Sequence, residues 1–326
     1  MAVSTENTGP AEAGLSVVIP CFNEVDAIAG VHAEIVADLG HLDLEILFVD
    51  DGSGDGTLEA IKSLAGTDPR VQYISFTRNF GFEAAFSAGY RYADRPWILH
   101  LDADQQFPAA EALRLIEASP GQDAVFGIRT ERKDSWTRRA GTTLFHFLAA
   151  RVLNVELPVG ATAFRLVRSP VARAVVDLDL GTPYFLATLP KLTSRYATVP
   201  VRHRERLTGS PKATLRRLAA HAADLFVTRS GRLTSAASGL ALAAAGLAAL
   251  CAAGEAAGWV GQAAGVTVSL LLAAVSLGVL AFVVRHLATI AAGQARPRLF
   301  YVREASIPIA AKDLLCRPAE TSARRP

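Results

Sequence analysis

Twelve residues, Trp97–Pro108 (WILHLDADQQFP), carry the first chemistry legible in this 326-residue chain: an apolar run that ends in two aspartates one residue apart. Aspartate is a poor strand former and is costly to bury without a partner. A lone D-A-D is met by a turn or a helix cap, so the pair gains meaning only from its surroundings. Side chains two apart on an extended chain turn to the same face, where Asp102 and Asp104 could meet one cation. A loop that breaks the strand there would give the two carboxylates separate tasks. Either way the charges are tolerated where a cation and a polar ligand meet them.

Two more polar clusters follow apolar runs. Leu15–Pro20 (LSVVIP) reads as a strand and leads into Cys21, Asn23 and Glu24; Glu45–Val49 (EILFV) reads as a second and ends at Asp50-Asp51-Gly52. A helical stretch runs through about Leu39, and another over Thr57–Ala65 sets Leu58, Ile61, Leu64 and Ala65 on one face. Further strands are predicted over Val71–Phe76, Trp97–Leu101 and Ala124–Ile128, with helices over Phe82–Ala93 and Ala109–Glu117. Strands alternating with helices predict an α/β fold, a mainly parallel sheet with helices on both faces. Ligands bind such sheets at the carboxyl ends of the strands, where all three polar clusters fall. Asp51–Gly56 also fits the first half of an EF-hand loop, but position twelve, which needs a bidentate glutamate, is Lys62. After Arg129 the pattern loosens into a charged loop (131–139), an amphipathic helix over Gly141–Leu153, strands over Ala163–Val167 and Ala197–Val201, and a short helix over Val171–Leu178.

Composition bounds the rest. A net charge of +2 gives no reason to expect nucleic acid as a partner. Cys21, Cys251 and Cys316 lie far apart, without metal spacing or a disulfide framework, and no histidine pair has the H-E-x-x-H arrangement. The opening MAVSTENTGPAEAG lacks the basic and apolar regions of a signal peptide and is expected to be a flexible tail. The apolar excess lies late in the chain. Ser235–Gly254 and Ala263–Val284 each hold about twenty residues without a charge, enough for a helix to cross a bilayer; a buried soluble hairpin would be expected to keep a charged face. Arg216, Arg217, Arg229 and Arg232 precede the first, Arg285, Arg296, Arg298 and Arg303 follow the second, and the loop with Glu255 and Trp259 has no Lys or Arg. The positive-inside rule then places both ends, and the preceding domain, in the cytoplasm. Lys212–Thr228 reads as an amphipathic helix that lies on the membrane or packs on its own domain.

Taken in order, VVIPCFNE (17–24), FVDDGSGDGT (48–57), RNFGFEAAFSAG (78–89), LDADQQFP (101–108), FGIRTERKDS (126–135), AFRLVRSP (163–170) and VPVRHRERLTGSPK (199–212) resemble the family 2 glycosyltransferases of GT-A fold. The likeness is greatest to the membrane-anchored polyprenyl-phosphate glycosyltransferases, the group of dolichol-phosphate mannose synthase. ARPRLFYVRE (295–304) resembles bacterial members. The resemblance implies a tail over 1–14, a cytoplasmic GT-A domain over 15–212, a juxtamembrane helix over 213–233, a transmembrane hairpin over 234–285 and a cytoplasmic tail over 286–326, in a bacterial cell membrane. It implies a UDP- or GDP-sugar donor, with Pro20, Asn23 and Glu24 lining the base and ribose pocket and Asp51, or less readily Asp50, contacting the base. Asp102 and Asp104 would be the catalytic D-x-D pair, holding Mg2+ or Mn2+ and the donor; a homo-oligomer is compatible with it.

Arg129, Arg132, Arg204, Arg206 and Lys212 would meet an acceptor phosphate, Arg through forked contacts. Departures from the family pattern are Phe82, where relatives often carry Lys, Phe107, where they carry Asp, and Pro211 in the G-x-S-K element. Some relatives also have an acid just before F-R-L, where Gly160–Ala163 offers none. A hydroxyl acceptor wants a general base; a phosphomonoester, with a second pKa near ~6, arrives ionised. The expected reaction is therefore inverting transfer to polyprenyl phosphate. Transfer to a lipid or glycan hydroxyl, and a non-catalytic nucleotide-sugar-binding scaffold, are the alternatives.

Overall fold

The computed structural model describes residues 9–129, 160–178, 185–204, 231–258, 262–294 and 299–315. The calls on Arg132, Arg206, Lys212 and the juxtamembrane helix up to residue 230 lie outside them, as does the helix expected over 141–153. The chain divides into two compact units: residues 1–140, 156–210 and 297–326 form the first, and 141–155 with 211–296 the second.

In the first unit, a single turn α1 (Pro10–Ala13) leads into β1 (Leu15–Cys21), α2 (Val25–Leu39), β2 (Leu44–Asp50), α3 (Thr57–Ala65), β3 (Val71–Phe76), α4 (Phe82–Tyr92) and β4 (Trp97–His100). A 3-10 turn (Ala109–Glu111), α5 (Ala112–Glu117), β5 (Ala124–Arg129), β6 (Ala161–Arg168), α6 (Ser169–Asp177), α7 (Phe185–Leu192) and β7 (Tyr196–Val201) follow. The turn α1 falls within the stretch expected to be a tail. So does β8 (Val302–Ala305), which lies inside 286–326 and pairs antiparallel with β3.

The eight strands make one sheet in the order β7-β5-β6-β4-β1-β2-β3-β8. β4, β1, β2 and β3 are mutually parallel neighbours. β6 is antiparallel to both β4 and β5, and β7 is parallel to β5. Six strands therefore run one way, and their carboxyl ends share one edge; β6 and β8 run the other. The sheet is mixed with a parallel centre.

Residue alternation builds the layers. Leu15, Val17 and Ile19 of β1 pack with Ile28, Val31 and Ile35 of α2 and with Ile61 of α3. Val18 joins Leu47, Val49 and the α4 alanines on the opposite face, where α6, α7 and Val302 also pack. With both faces covered, β1 and β2 read as nearly unbroken apolar runs. α4 comes close enough to β1 that a methyl group at Gly89 would run into the Val18 side chain.

The second unit holds two long helices that pack against each other, α8 (Gly231–Ala256) and α9 (Gln262–Gln294). Gly265–Val284 of α9 is long and apolar enough to cross a membrane; in α8 the apolar run covers Gly239–Cys251. Leu242, Leu250, Leu270, Leu271 and Leu277 are all well exposed on these helices.

Helix propensity alone would make Gly89→Ala stabilising by up to about 1 kcal/mol. The close approach of Val18 reverses the sign. The variant is expected to lose about 1–3 kcal/mol of stability through overpacking, read as a lowered thermal midpoint of the purified protein; a raised midpoint would contradict the packing described.

Candidate active site

At the shared edge, the loops after β1 and β2 are stitched together. Asn23 adopts a left-handed conformation (φ 53°), its amide N–H donates to Ser53 Oγ (3.0 Å), and its Oδ1 accepts from Gly54 N (2.9 Å). Glu24 N donates to Thr57 Oγ1 (3.0 Å). Asp55 Oδ2 accepts from Val25 N in the first turn of α2 (3.3 Å), while its Oδ1 accepts from Thr57 N (3.0 Å) and Oγ1 (2.5 Å). The run that imitates half an EF-hand thus serves to cap and lock helices. Pro20 lies in register with Val49, on the strand just before this junction.

The two aspartates that close β2 face different partners. Asp50 is 0% exposed; its Oδ1 accepts from Ser53 N (3.0 Å) and its Oδ2 from Ser75 Oγ (2.7 Å). Arg303 Nη2 of β8 donates in turn to Ser75 Oγ (3.1 Å). Asp51 is also buried, and its two oxygens accept from Phe80 N (2.7 Å) and Gly81 N (2.9 Å) at the start of α4. Gly52 permits this geometry: its φ is 69°, and a Cβ there would collide with the Arg78 backbone. Burial is the largest influence on the Asp51 carboxyl and pushes it up to about 6. The two amide hydrogen bonds and Arg78 pull the other way, and Asp50 adds to the rise. Cys21, in register with Asp50, is buried, and burial pushes its thiol up, away from the thiolate that nucleophilic chemistry needs.

β4 ends at His100, so the strand stops before Asp102 and the two carboxylates are carried on a loop. Leu101 and Ala103 are buried, whereas the Asp102 side chain is 27% exposed. Asp104 Oδ1 accepts from Gln106 N (3.2 Å), and Gln105 takes a left-handed φ of 53°. No group of three His, Cys, Asp or Glu suited to a metal occurs among the described residues. Two hard carboxylates fit a divalent cation that completes its shell with phosphate oxygens and water, the mode Mg2+ adopts with nucleotides.

Beneath this loop lies a network the sequence reading did not single out. His100 is 0% exposed, its Nε2 lies 3.6 Å from Asp102 Oδ1, and burial, helped by Arg165, holds the imidazole neutral. Arg165 is buried too: its Nε donates to Tyr90 Oη (2.7 Å), and its guanidinium lies over the Phe86 (5.1 Å) and Phe185 (5.2 Å) rings. The one signal in the sequence was an ionisable residue inside each of two apolar strands. Phe82 starts α4 at the edge, 47% exposed, with its ring against Phe86. Phe107 is instead buried and stacked on Phe164 (5.2 Å between centroids).

Of the basic candidates, Arg204 comes against the loop carrying Asp102 and Asp104: its N–H donates to Gln106 O (2.8 Å) and its Nη1 to Glu34 Oε1 (3.1 Å). Arg129 closes β5, in register with Val201, at the same sheet edge.

The raised Asp51 carboxyl has a testable sign. A carboxyl whose folded value exceeds its unfolded one stabilises the fold below about pH 4, and that contribution is lost as pH rises through about 6. Asp51→Asn does not titrate. Between about pH 4 and 6 the wild type should lose about 2–3 kcal/mol relative to that variant, then run parallel to it. Thermal unfolding across this range measures the difference, and a wild type that gains on the variant would reverse the assignment.

Comparison with known proteins shows the family. Residues 16–176 match the model of Glycosyl transferase family 2. The chain is 34% identical over 173 residues to the putative glycosyltransferase CsbB of Bacillus subtilis (strain 168), covering 52% of this chain and 53% of that protein. It is 30% identical over 227 residues to the uncharacterized glycosyltransferase YkcC of the same strain, covering 68% and 70%. With the undecaprenyl-phosphate 4-deoxy-4-formamido-L-arabinose transferase of Edwardsiella ictaluri (strain 93-146) it shares 32% over 208 residues, covering 63% and 64%. The match thus spans about half of the first relative's length and under two thirds of the third's. Among solved structures, glucosyl-3-phosphoglycerate synthase from Mycobacterium tuberculosis in complex with Mn2+ and UDP-glucose aligns with a TM-score of 0.49 at 20% identity, over 67% of this chain and 78% of that one. The chain belongs to glycosyl transferase family 2.

Proposed function

We propose that this protein transfers a sugar, with inversion, from a UDP- or GDP-sugar to a polyprenyl phosphate at the cytoplasmic face of a bacterial membrane. The observation that carries the reading is the meeting, at one sheet edge, of the Asp102/Asp104 loop with Arg204 and the interlocked loops after β1 and β2. A relative named for transfer to undecaprenyl phosphate, 32% identical, supports the acceptor class.

The loops holding Asn23, Glu24 and Asp51 would receive the nucleotide, and the loop after β4 its diphosphate and sugar. A Mg2+ or Mn2+ held by Asp102 and Asp104 would neutralise the charge that builds on the departing diphosphate. Arg204, with Arg129, Arg132, Arg206 and Lys212, would grip the acceptor phosphate by charge-assisted hydrogen bonds. Gly160 and the first residues of β6, Ala161, Thr162 and Ala163, reach this edge, none of them acidic, and Thr162 Oγ1 donates to Gly127 O (2.9 Å). An ionised phosphate needs no proton removed before it attacks the anomeric carbon opposite the leaving group, which suits a site built this way. The exposed leucines of α8 and α9 suit lipid, and the Arg-rich flanks of both helices favour a cytoplasmic position for both ends. A two-helix membrane hairpin over 234–285 would let the lipid tail stay in the bilayer while the headgroup is bound.

Asp102→Asn and Asp104→Asn are nearly isosteric and should fold, but each should lower turnover by about two orders of magnitude or more, through lost stabilisation of the leaving group. Steady-state assays with a panel of nucleotide-sugars measure this; full activity in both variants, or in excess chelator, would remove the assignment.

The acceptor chemistry is separately testable. Polyprenyl monophosphate should be glycosylated, and the corresponding polyprenol should not, as read by mass of the lipid product. Equal use of polyprenol would favour the hydroxyl-acceptor reaction.

A further inference from the structure

Glu34 belongs to none of the polar clusters at the strand ends. It lies within α2, and its side chain is 18% exposed. Its carboxylate nevertheless joins two segments distant in sequence. Oε2 accepts from Gln105 Nε2 (3.1 Å), and Oε1 accepts from both Ala109 N (3.2 Å) and Arg204 Nη1 (3.1 Å). The first two donors flank the end of the loop that carries Asp102 and Asp104; the third belongs to the basic segment after β7.

Other contacts show that the two segments meet along their length. Arg204 N donates to Gln106 O (2.8 Å), His203 Nε2 lies 3.2 Å from Gln106 Oε1, and Arg202 N donates to Glu111 Oε2 (3.1 Å). The Phe107 ring meets the His203 ring edge to face at 5.2 Å. On α2, a Cβ at Gly30 would sit 3.3 Å from the Gln105 amide, so glycine there gives that side chain room to reach Glu34. Glu34, Asp102, Gln105 and Phe107 line one crevice too small to admit a water molecule.

We propose that Glu34 is a positioning residue that locks the start of the acceptor-binding arm, residues 202–204, onto the donor-binding loop, residues 101–109. One carboxylate outside the reacting groups then sets both sides of the site. Among the described residues that join these segments, it is the one that holds a cationic side chain of the arm by a charge-assisted bond while also fixing a backbone amide of the loop. The inference rests on the proposed function for the roles of the two segments, and on geometry alone for their coupling.

The test uses the full-length protein in lipid nanodiscs and the variants Glu34→Ala, Glu34→Gln, Arg204→Ala and Glu34→Ala/Arg204→Ala. Hydrogen exchange needs no substrate. Glu34→Ala should accelerate exchange in both 101–109 and 202–204 by about tenfold or more, the loss expected when a charge-assisted bond is removed. Glu34→Gln, nearly isosteric, keeps one acceptor oxygen and should show the same change to a smaller degree. In turnover assays, Glu34→Ala should raise the KM for undecaprenyl phosphate about tenfold and leave kcat at saturating acceptor within about threefold. Arg204→Ala should cost much less in the Glu34→Ala background than alone, the signature of two residues acting through one contact.

Unchanged exchange in either segment of Glu34→Ala, or additive effects of the two alanines on acceptor KM, would overturn the proposal. If Glu34→Ala does not fold, the same exchange criteria apply to Glu34→Gln. A wild type that glycosylates no polyprenyl phosphate would overturn the proposed function instead, and the exchange result would then decide the coupling by itself.

Discussion

The edge of this sheet depends on two adjacent carboxylates, Asp50 and Asp51, both taken out of water. An ionised pair one residue apart repels itself, and burial raises the cost of the charge. The fold answers by giving every oxygen of the pair a donor. Asp50 gathers Ser53 N and Ser75 Oγ, and through Ser75 the side chain of Arg303 in β8. Asp51 gathers the amides of Phe80 and Gly81, the two residues before α4. The pair thereby fixes the loop after β2, the loop after β3 and the register of the last strand at once. Removing any of these donors would leave a buried charge short of a partner, which costs more than the bond contributes. That asymmetry explains why a polar junction can serve as the rigid floor of a binding site.

Parallel direction supplies the other half of the geometry. Because six strands end at one edge, residues far apart in sequence, Asn23, Asp51, Asp102, Arg129 and Arg204, arrive at the same edge. The reversed strand β6 threads between β4 and β5 and brings its small residues 160–163 to the same edge, while its buried Arg165 sits in register with His100. A cation and an imidazole so placed add no ionised acid next to the Asp102 loop. They leave the carboxylates there as the negative groups that a donor or a cation would meet.

Much of this was legible in the residues. The strands β1 to β5 and the helices α2 to α4 follow from apolar runs and period, because burial on both sheet faces writes an unambiguous pattern. The helix expected over 109–117 begins as a 3-10 turn, with Ala109 N donating to Glu34. β8 could not be read from VREA, four residues of which two are charged, because its place is set by pairing with β3 across more than two hundred residues. α7 was hidden by Pro190 inside it. The carboxylate pair Asp102/Asp104 was visible from its spacing, but Glu34 was not: a glutamate on a helix looks like any solvated face, and only the approach of Gln105, Ala109 and Arg204 distinguishes it.

Two of the departures from the family pattern acquire physical meaning in the same terms. Phe107 stands where relatives often carry an acid, yet it is buried, stacked on Phe164 and edge-on to His203. An acidic side chain in that apolar slot would need a partner; a ring gains from the stack instead. Residues 105–109, which hold no acid, are thus anchored by an aromatic plug on one side and by the Glu34 carboxylate of α2 on another. Phe82 is the opposite case. Its ring is half exposed at the start of α4, next to the amides that Asp51 holds, where a lysine would add a cation. Without it, the positive groups beside Asp50 and Asp51 are Arg78 and Arg303, while Arg129 and Arg204 stand at the other end of the edge, around β5 and β7. Both ends of the edge therefore offer cations to an anion, and the Asp102 loop lies between them.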